Sequence, residues 1–544
     1  MKLPKSFSED TDSEEVKNMR PNIVIINPDE MRWNTMGHMG NRAASTPFLD
    51  SFAADEAVSF DHAYCQNPVC VPSRCSFFTG LYPHVNGHRT MAHLLRPHET
   101  SLLKELKNAG YYVWINARND LVAGQYEGLA ESHASEIFYK PAVSKADKQE
   151  APKKPDPFPY SHFKGVVPNT DETTGDWADT LGAIDRIKHP VDDRPLCLFL
   201  GWLNPHPPYT VEQRYYDRID PEKIEPVISP DETENKCSLM SALRTNQKLD
   251  AYTAENWKEM QRVYLAQCSQ VDAMFKAVCD ALKEAGIYDN TAIIFLSDHG
   301  DFAGDYHIPE KAQNTFEDDL TRVPLLIKPP KGEPVDPGIT SGMTELVDFY
   351  ATVMDYAGAA LTHDHFGKSL RGVIADRTKT VRKFAFCEGG RRPHENQSDE
   401  WHIGGDRGQN PNSEYYPRQL AQSDDDNHTK GTMITDGHHK YIERLNGTHE
   451  FYDLDNDPKE KKNNYSSMVG TPVLNELKEA MLHWYQETCD IVPRDYDSRF
   501  TPDMIYSMLV GRCPAGKEAE FKAYTRTHTD IVDCSFYLLS LSGD

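Results

Sequence analysis

Pro21-Asn22-Ile23-Val24-Ile25-Ile26-Asn27-Pro28-Asp29-Glu30 sets the reading of the fold: an unbroken apolar run followed at once by two carboxylates. A strand with one wet face alternates apolar and polar residues, whereas an unbroken run suits a strand covered on both faces. Tyr111 to Ile115, Leu196 to Leu200 and Ala292 to Leu296 repeat the pattern, with helical periodicity between them. Ser45 or Thr46 ahead of Pro47 is a helix start, as is Ser101 ahead of Leu102, with a stop at Gly110. The longest helix lines up Met260, Val263, Tyr264, Val271, Met274, Phe275, Val278 and Leu282 and ends at Gly286, and another runs from Glu345 to Gly358. Strands alternating with helices predict an α/β domain over residues 21–375, its large, mostly parallel sheet sandwiched by helices.

Working outward, residues 1–20 carry no periodicity and read as a mobile arm. From Val143 to Thr174 the Lys, Pro and Asp content rises and periodicity is lost, as in a lid-like excursion. Beyond 375 the pattern becomes isolated strands (Phe384 to Cys387, Gly431 to Ile434, Lys440 to Arg444, Glu450 to Leu454) and one helix from Val473 to Thr488. This predicts a smaller antiparallel α+β subdomain over 376–490. Arg391 to Asn427 reads as a long loop. The tail, 491–544, is irregular but bears Phe500, Tyr506, Tyr524 and Phe536, as a segment that docks on something, such as the second subunit of a homodimer, would.

The 544 residues carry 58 basic and 84 acidic side chains, a net charge of -26 that disfavours a nucleic-acid binder. No stretch reaches the roughly 20 apolar residues that span a bilayer. The polar, acidic N-terminus does not resemble a secretory leader, and 11 cysteines, an odd number, do not form a disulfide framework, so the expected compartment is the cytoplasm.

Open α/β sheets place ligands beyond the carboxyl ends of their strands. There the four runs deliver Asp29 and Glu30; Arg118 and Asp120; His206, within Asn204-Pro205-His206-Pro207-Pro208; and Asp298 and His299 ahead of Gly300. Asp29, Glu30, Asp298 and His299 combine hard oxygen donors with an imidazole and suit one divalent cation. Any one of these acids alone could equally cap the next helix. Cys70-Val71-Pro72-Ser73-Arg74 puts a thiol just before a Pro-started helix, where the dipole favours an anion, and Arg74 adds a cation one turn on. Cys65, Cys70 and Cys75 recur every five residues, a spacing that no zinc or iron–sulfur pattern uses.

The motif Cys70-x-Pro72-Ser73-Arg74 with Thr79-Gly80 resembles the signature of the type I, formylglycine-dependent sulfatases of the alkaline phosphatase superfamily. Pro21-Asn22-Ile23, Gly80-Leu81-Tyr82-Pro83-His84, Pro205-His206, Ser297 to Asp301, Lys311, Arg322-Val323-Pro324-Leu325 and Tyr452-Asp453-Leu454 extend the resemblance over roughly residues 20–490. It implies an alkaline phosphatase-like mixed sheet and hydrolysis of an aryl or carbohydrate sulfate ester. It further implies that a maturation enzyme oxidises Cys70 to Cα-formylglycine. One hydroxyl of the hydrated aldehyde then attacks sulfur, and the second drives release of sulfate by carbon–oxygen cleavage. A divalent ion, calcium in most of the family, would polarise nucleophile and sulfate with Cys70 among its ligands. Asp298 would take the first proton. Arg74, Arg118 and Lys311 would hold the sulfate oxygens, and His206, or Lys311 in competition with it, would protonate the leaving oxygen. His84 and His88 are open between substrate contact and structure.

Two departures stand out. The family's Gly-Lys-x-His at the second strand end is Ala117-Arg118-Asn119-Asp120 here, so Asp120 stands where a histidine assists sulfate release. His299 replaces the usual Asn and Glu30 the usual Asp or Gln, which leaves manganese or magnesium open. The competing expectations are a phosphonate monoester or phosphodiester hydrolase on the same scaffold and a catalytically silent protein that binds sulfated ligands.

Overall fold

The computed structural model describes residues 20–141, 160–170, 172–173, 175–395, 411, 413–494 and 498–542. Its chain forms two compact units, one holding nearly all residues up to 490 and the other comprising 362–364 with 491–544.

The large unit is built on an eight-stranded sheet ordered Gly338–Thr340, Val58–Phe60, Leu325–Lys328, Thr291–Leu296, Asn22–Asp29, Leu196–Pro205, Tyr112–Asn116 and Glu136–Phe138. Leu325–Lys328 runs antiparallel to both neighbours, and every other pairing is parallel. The sheet is therefore mixed and mostly parallel. Both faces are buried, which explains the unbroken apolar runs. Ile23 and Ile25 face a core shared with helices Cys70–Thr79, Leu102–Asn108 and Val347–Ala357. Val24 and Ile26 face a second core filled by Pro47–Asp55, Asp176–Lys188 and the long helix Ala254–Glu284. Thr253 caps that helix, its hydroxyl accepting from the Asn256 N–H.

The expected antiparallel subdomain is a four-stranded sheet, Ala385–Gly389, Gly431–Thr435, His439–Arg444 and Glu450–Asp453. Phe386, Ile434, Tyr441 and Phe451 pack on Leu474, Leu477, Met481 and Trp484 of the helix Pro472–Thr488. The alternate residues Cys387, Met433, Ile442 and Tyr452 join the core of the large sheet, so this sheet too is buried on both faces.

Three sequence expectations change. The stretch 391–427 holds a helix, Tyr416–Gln422, where a loop was expected, although 396–410 and 412 lie outside the described residues. The lid-like excursion contains a strand, Phe163–Val167, paired in parallel with Tyr209–Glu212; residues 142–159, 171 and 174 lie outside the described set, as does most of the expected N-terminal arm. The tail is helical rather than irregular: Pro502–Leu509, Glu518–Thr527 and Ile531–Leu541 enclose Ile505, Leu509, Phe521, Cys534 and Leu538. Among the described residues no helix is long and apolar enough to cross a membrane.

Candidate active site

Four neighbouring strands end on one side of the sheet and deliver their polar residues to one place. The ligand atoms of Asp29, Cys70, Asp298 and His299 all lie within 4.8 Å of one another, and all four residues are buried. Cys70 opens the helix Cys70–Thr79, its Sγ 3.4 Å from Asp29 Oδ1 and 3.2 Å from His299 Nε2. His299 Nδ1 lies 2.9 Å from the Gly300 carbonyl oxygen, which can only accept, so the proton sits on Nδ1 and Nε2 aims a lone pair into the cluster. Two carboxylates, an imidazole lone pair and residue 70 make a donor set that fits a divalent cation. Burial, reinforced by the Asp29 charge, pushes the Cys70 thiol well above its ordinary range. Left as a thiol it is a poor nucleophile.

Arg74 is fully buried and binds two of these acids, Nε to Asp298 Oδ2 at 2.8 Å and Nη2 to Asp29 Oδ2 at 2.8 Å. Arg118 Nη2 adds a 2.7 Å bond to the same Asp29 oxygen, and its Nη1 donates to the Trp202 carbonyl at 3.0 Å. Burial raises the Asp29 pKa, but the guanidinium groups of Arg118 and Arg74 outweigh it and hold the carboxyl well below its usual range. Asp120 is more open and sits 3.6 Å from both Arg74 and Arg118.

Glu30 falls in a different group, with Asp29 and His206. Its two oxygens accept from Lys311, Oε1 from the backbone N–H at 2.9 Å and Oε2 from Nζ at 2.8 Å. Lys311 Nζ is also 2.9 Å from His206 Nε2, and His206 Nδ1 is 2.6 Å from the Pro207 carbonyl oxygen. That carbonyl fixes the proton on Nδ1, so neutral His206 accepts from Lys311 at Nε2. Burial, with the Lys311 charge, pushes the His206 pKa well below its ordinary value.

The other sequence candidates are held elsewhere. His84 bonds Glu388 and Thr488, and His88 lies between Glu99 and the His93 carbonyl. Cys65 and Cys75 contact the Leu320 and Leu121 carbonyls respectively and belong to neither metal-capable group. Further side chains support the site. Ser73 Oγ donates to the Asp298 carbonyl at 2.6 Å, and Ser297 Oγ accepts from the Met31 N–H at 2.8 Å. Tyr264, on the long helix, donates to the Glu30 carbonyl at 2.7 Å. Asp176 accepts from the Leu203 and Asn204 N–H groups at 3.0 and 2.7 Å, fixing the turn that carries His206. Ser73 and Ser297 stand within the quoted motifs and Tyr264 was read as apolar core of the long helix, whereas Asp176 left no signal in the sequence.

A sequence model of the family described as Sulfatase matches residues 21–359. Arylsulfatase K of Danio rerio is 26% identical over 387 residues, covering 65% of this chain and 68% of its own. Choline-sulfatase of Rhizobium meliloti (strain 1021) is 26% identical over 357 residues, covering 63% and 68%. Among solved structures, the phosphonate monoester hydrolase of Agrobacterium radiobacter superposes with a TM-score of 0.66 at 19% identity, covering 86% of this chain and 96% of that one.

Proposed function

The chain belongs to the sulfatase family and hydrolyses sulfate esters, and from that premise we propose that residue 70, matured from Cys70 to Cα-formylglycine, is its nucleophile. The observation that carries the proposal is the convergence of Asp29, Cys70, Asp298 and His299 at the amino end of a helix. We assign these four residues to one divalent cation, with calcium as the proposed ion and manganese or magnesium as the alternatives that His299 admits. When bound, the ion supplies Lewis-acid polarisation of the sulfate and a lower pKa for the nucleophile.

The remaining steps belong to side chains. Asp298, beside residue 70, receives the proton lost on attack. Arg74 holds Asp29 and Asp298 in place through its hydrogen bonds, and with Arg118 it places positive charge beside the reacting group. Lys311 and His206 share one hydrogen bond, so the proton for the leaving oxygen resides on that pair and starts from Lys311 Nζ. Glu30 holds Lys311 at both of its nitrogens, and with Asp29 and His206 it forms a second group able to hold a metal. Asp120, close to both arginines, is the proposed base for sulfate release.

The substrate is a small-molecule or glycan sulfate, and the proposal requires a partner that oxidises Cys70. The cysteines from Cys65 to Cys534 are free thiols, which suits a reducing compartment such as the cytoplasm. In the tail unit, Val532, Phe536 and Leu539 are exposed along one face of a helix, which supports pairing with a second subunit.

The test compares matched aryl sulfates and aryl phosphodiesters, using protein co-produced with a maturation enzyme and its Cys70→Ala variant. Faster hydrolysis of the sulfate, lost in the variant, is expected. Faster hydrolysis of the phosphodiester would favour the phosphodiesterase reading. Binding of aryl sulfate without turnover would favour the silent binder.

A further inference from the structure

Lys311 follows a residue in an uncommon conformation: Glu310 has φ +64°, in the left-handed region that side chains other than glycine rarely adopt. Such a backbone persists only where its surroundings over-determine it, and several neighbouring groups here are held. The Glu310 N–H donates to Tyr209 Oη at 2.7 Å, and the Lys311 N–H to Glu30 Oε1 at 2.9 Å. On the carbonyl side, among the described residues, Arg418 holds two of the three carbonyls. Its Nη1 donates to the Pro309 carbonyl at 3.3 Å, its Nη2 donates to the Lys311 carbonyl, and its Nε lies 3.5 Å from Glu310 Oε2. Glu310 in turn places Oε1 3.5 Å from Lys311 Nζ and Oε2 3.4 Å from His162 Nε2.

Arg418 is remote from Lys311 in sequence and sits on the short helix Tyr416–Gln422, with only 2% of its surface exposed. A planar guanidinium carries five donors in a fixed fork and can span two carbonyls and a carboxylate at once in a geometry that the three donors on a single ammonium nitrogen do not reproduce. The helix is joined to the edge of the site by two further contacts: Tyr415 packs on the His162 ring, and Glu414 pairs with Lys164.

We propose that Arg418, acting through Glu310 and the backbone of residues 309–311, is a positioning residue that sets the Lys311 ammonium against His206. The proposal rests on the reading of Lys311 and His206 as the pair that protonates the leaving oxygen. A misplaced ammonium then matters most when the leaving group is poor, because proton transfer is more advanced in that transition state.

The experiment compares wild type, Arg418→Ala, Arg418→Lys and Glu310→Gln, all matured, on nitrophenyl sulfate and on phenyl sulfate, whose leaving group is poorer. Arg418→Ala is expected to lose kcat on phenyl sulfate by about tenfold more than on nitrophenyl sulfate, with KM nearly unchanged. Arg418→Lys recovers only part of this, and Glu310→Gln shows the same selectivity in milder form. Equal losses on the two substrates, or none, would overturn the positioning role while leaving the sulfatase reading intact. Absence of sulfate release from matured wild type would instead remove the reading on which the proposal stands. If Arg418→Ala does not fold, the Glu310→Gln pair of measurements decides by the same criterion.

Discussion

Gly300 shows how tightly the site is specified at single residues. A Cβ built there would lie 2.0 Å from the Asp319 carbonyl oxygen, and the Gly300 carbonyl is what orients His299. Gly300→Ala must therefore move the backbone that aims the imidazole, and metal affinity should fall by about 10- to 100-fold, as when a ligand's outer partner is lost. Titration of the metal-free protein with manganese checks this, and unchanged affinity would count against His299 as a ligand. Arg74 poses the complementary case. Its removal leaves Asp29 and Asp298 buried without their shared cation, so Arg74→Ala should destabilise the metal-free protein by about 3–5 kcal/mol in denaturant unfolding. A loss below about 1 kcal/mol would mean the pair is not an electrostatic support. Residue chemistry at strand ends was legible because Asp29, His206, Asp298 and His299 each follow an apolar run. The contacts of Glu30 and Arg418 with Lys311 were not, because nothing near them in sequence names Lys311 as their partner.

At the scale of elements, the four runs became the four adjacent central strands because each is covered on both faces. Leu196–Pro205 reaches five residues beyond its apolar run and so delivers His206 directly to the site. The short edge and antiparallel strands, Val58–Phe60 and Leu325–Lys328 among them, are too brief to show a period. The helix Tyr416–Gln422 was hidden within a Gly-, Asp- and Asn-rich stretch, and its packing rather than its composition decides its structure. Near it, His428 is buried ahead of the strand Gly431–Thr435 and 3.1 Å from Gln313. Burial, with Arg391 nearby, pushes its pKa down to about 3. The unfolded chain takes up this proton below about 6.5 while the folded chain does not. Stability therefore falls with decreasing pH through that window, by about 1.4 kcal/mol per unit. His428→Gln should flatten the pH dependence by that amount between about pH 6 and 4, measured as the difference from wild type. An unchanged slope would show that the imidazole is already charged in the fold.

For the whole molecule, the proposed cation joins acids and an imidazole from two central strands to the helix that starts at Cys70. An ion that binds only the folded chain stabilises it by mass action, by about 2.7 kcal/mol at a hundredfold excess over Kd. Chelation should lower the melting temperature and abolish sulfate release, and the proposed ion should restore both. Melting that is indifferent to chelator and to added calcium, manganese and magnesium would contradict the ligand assignment. Whether Cys70 is the precursor of the nucleophile is decided by peptide mass spectrometry across residue 70 in protein co-produced with a maturation enzyme, with sulfate release measured on the same sample. The expected result is a peptide about 18 Da lighter than the cysteine form, at a fraction that tracks activity across preparations. Full sulfate release from protein whose Cys70 is wholly unmodified would contradict it.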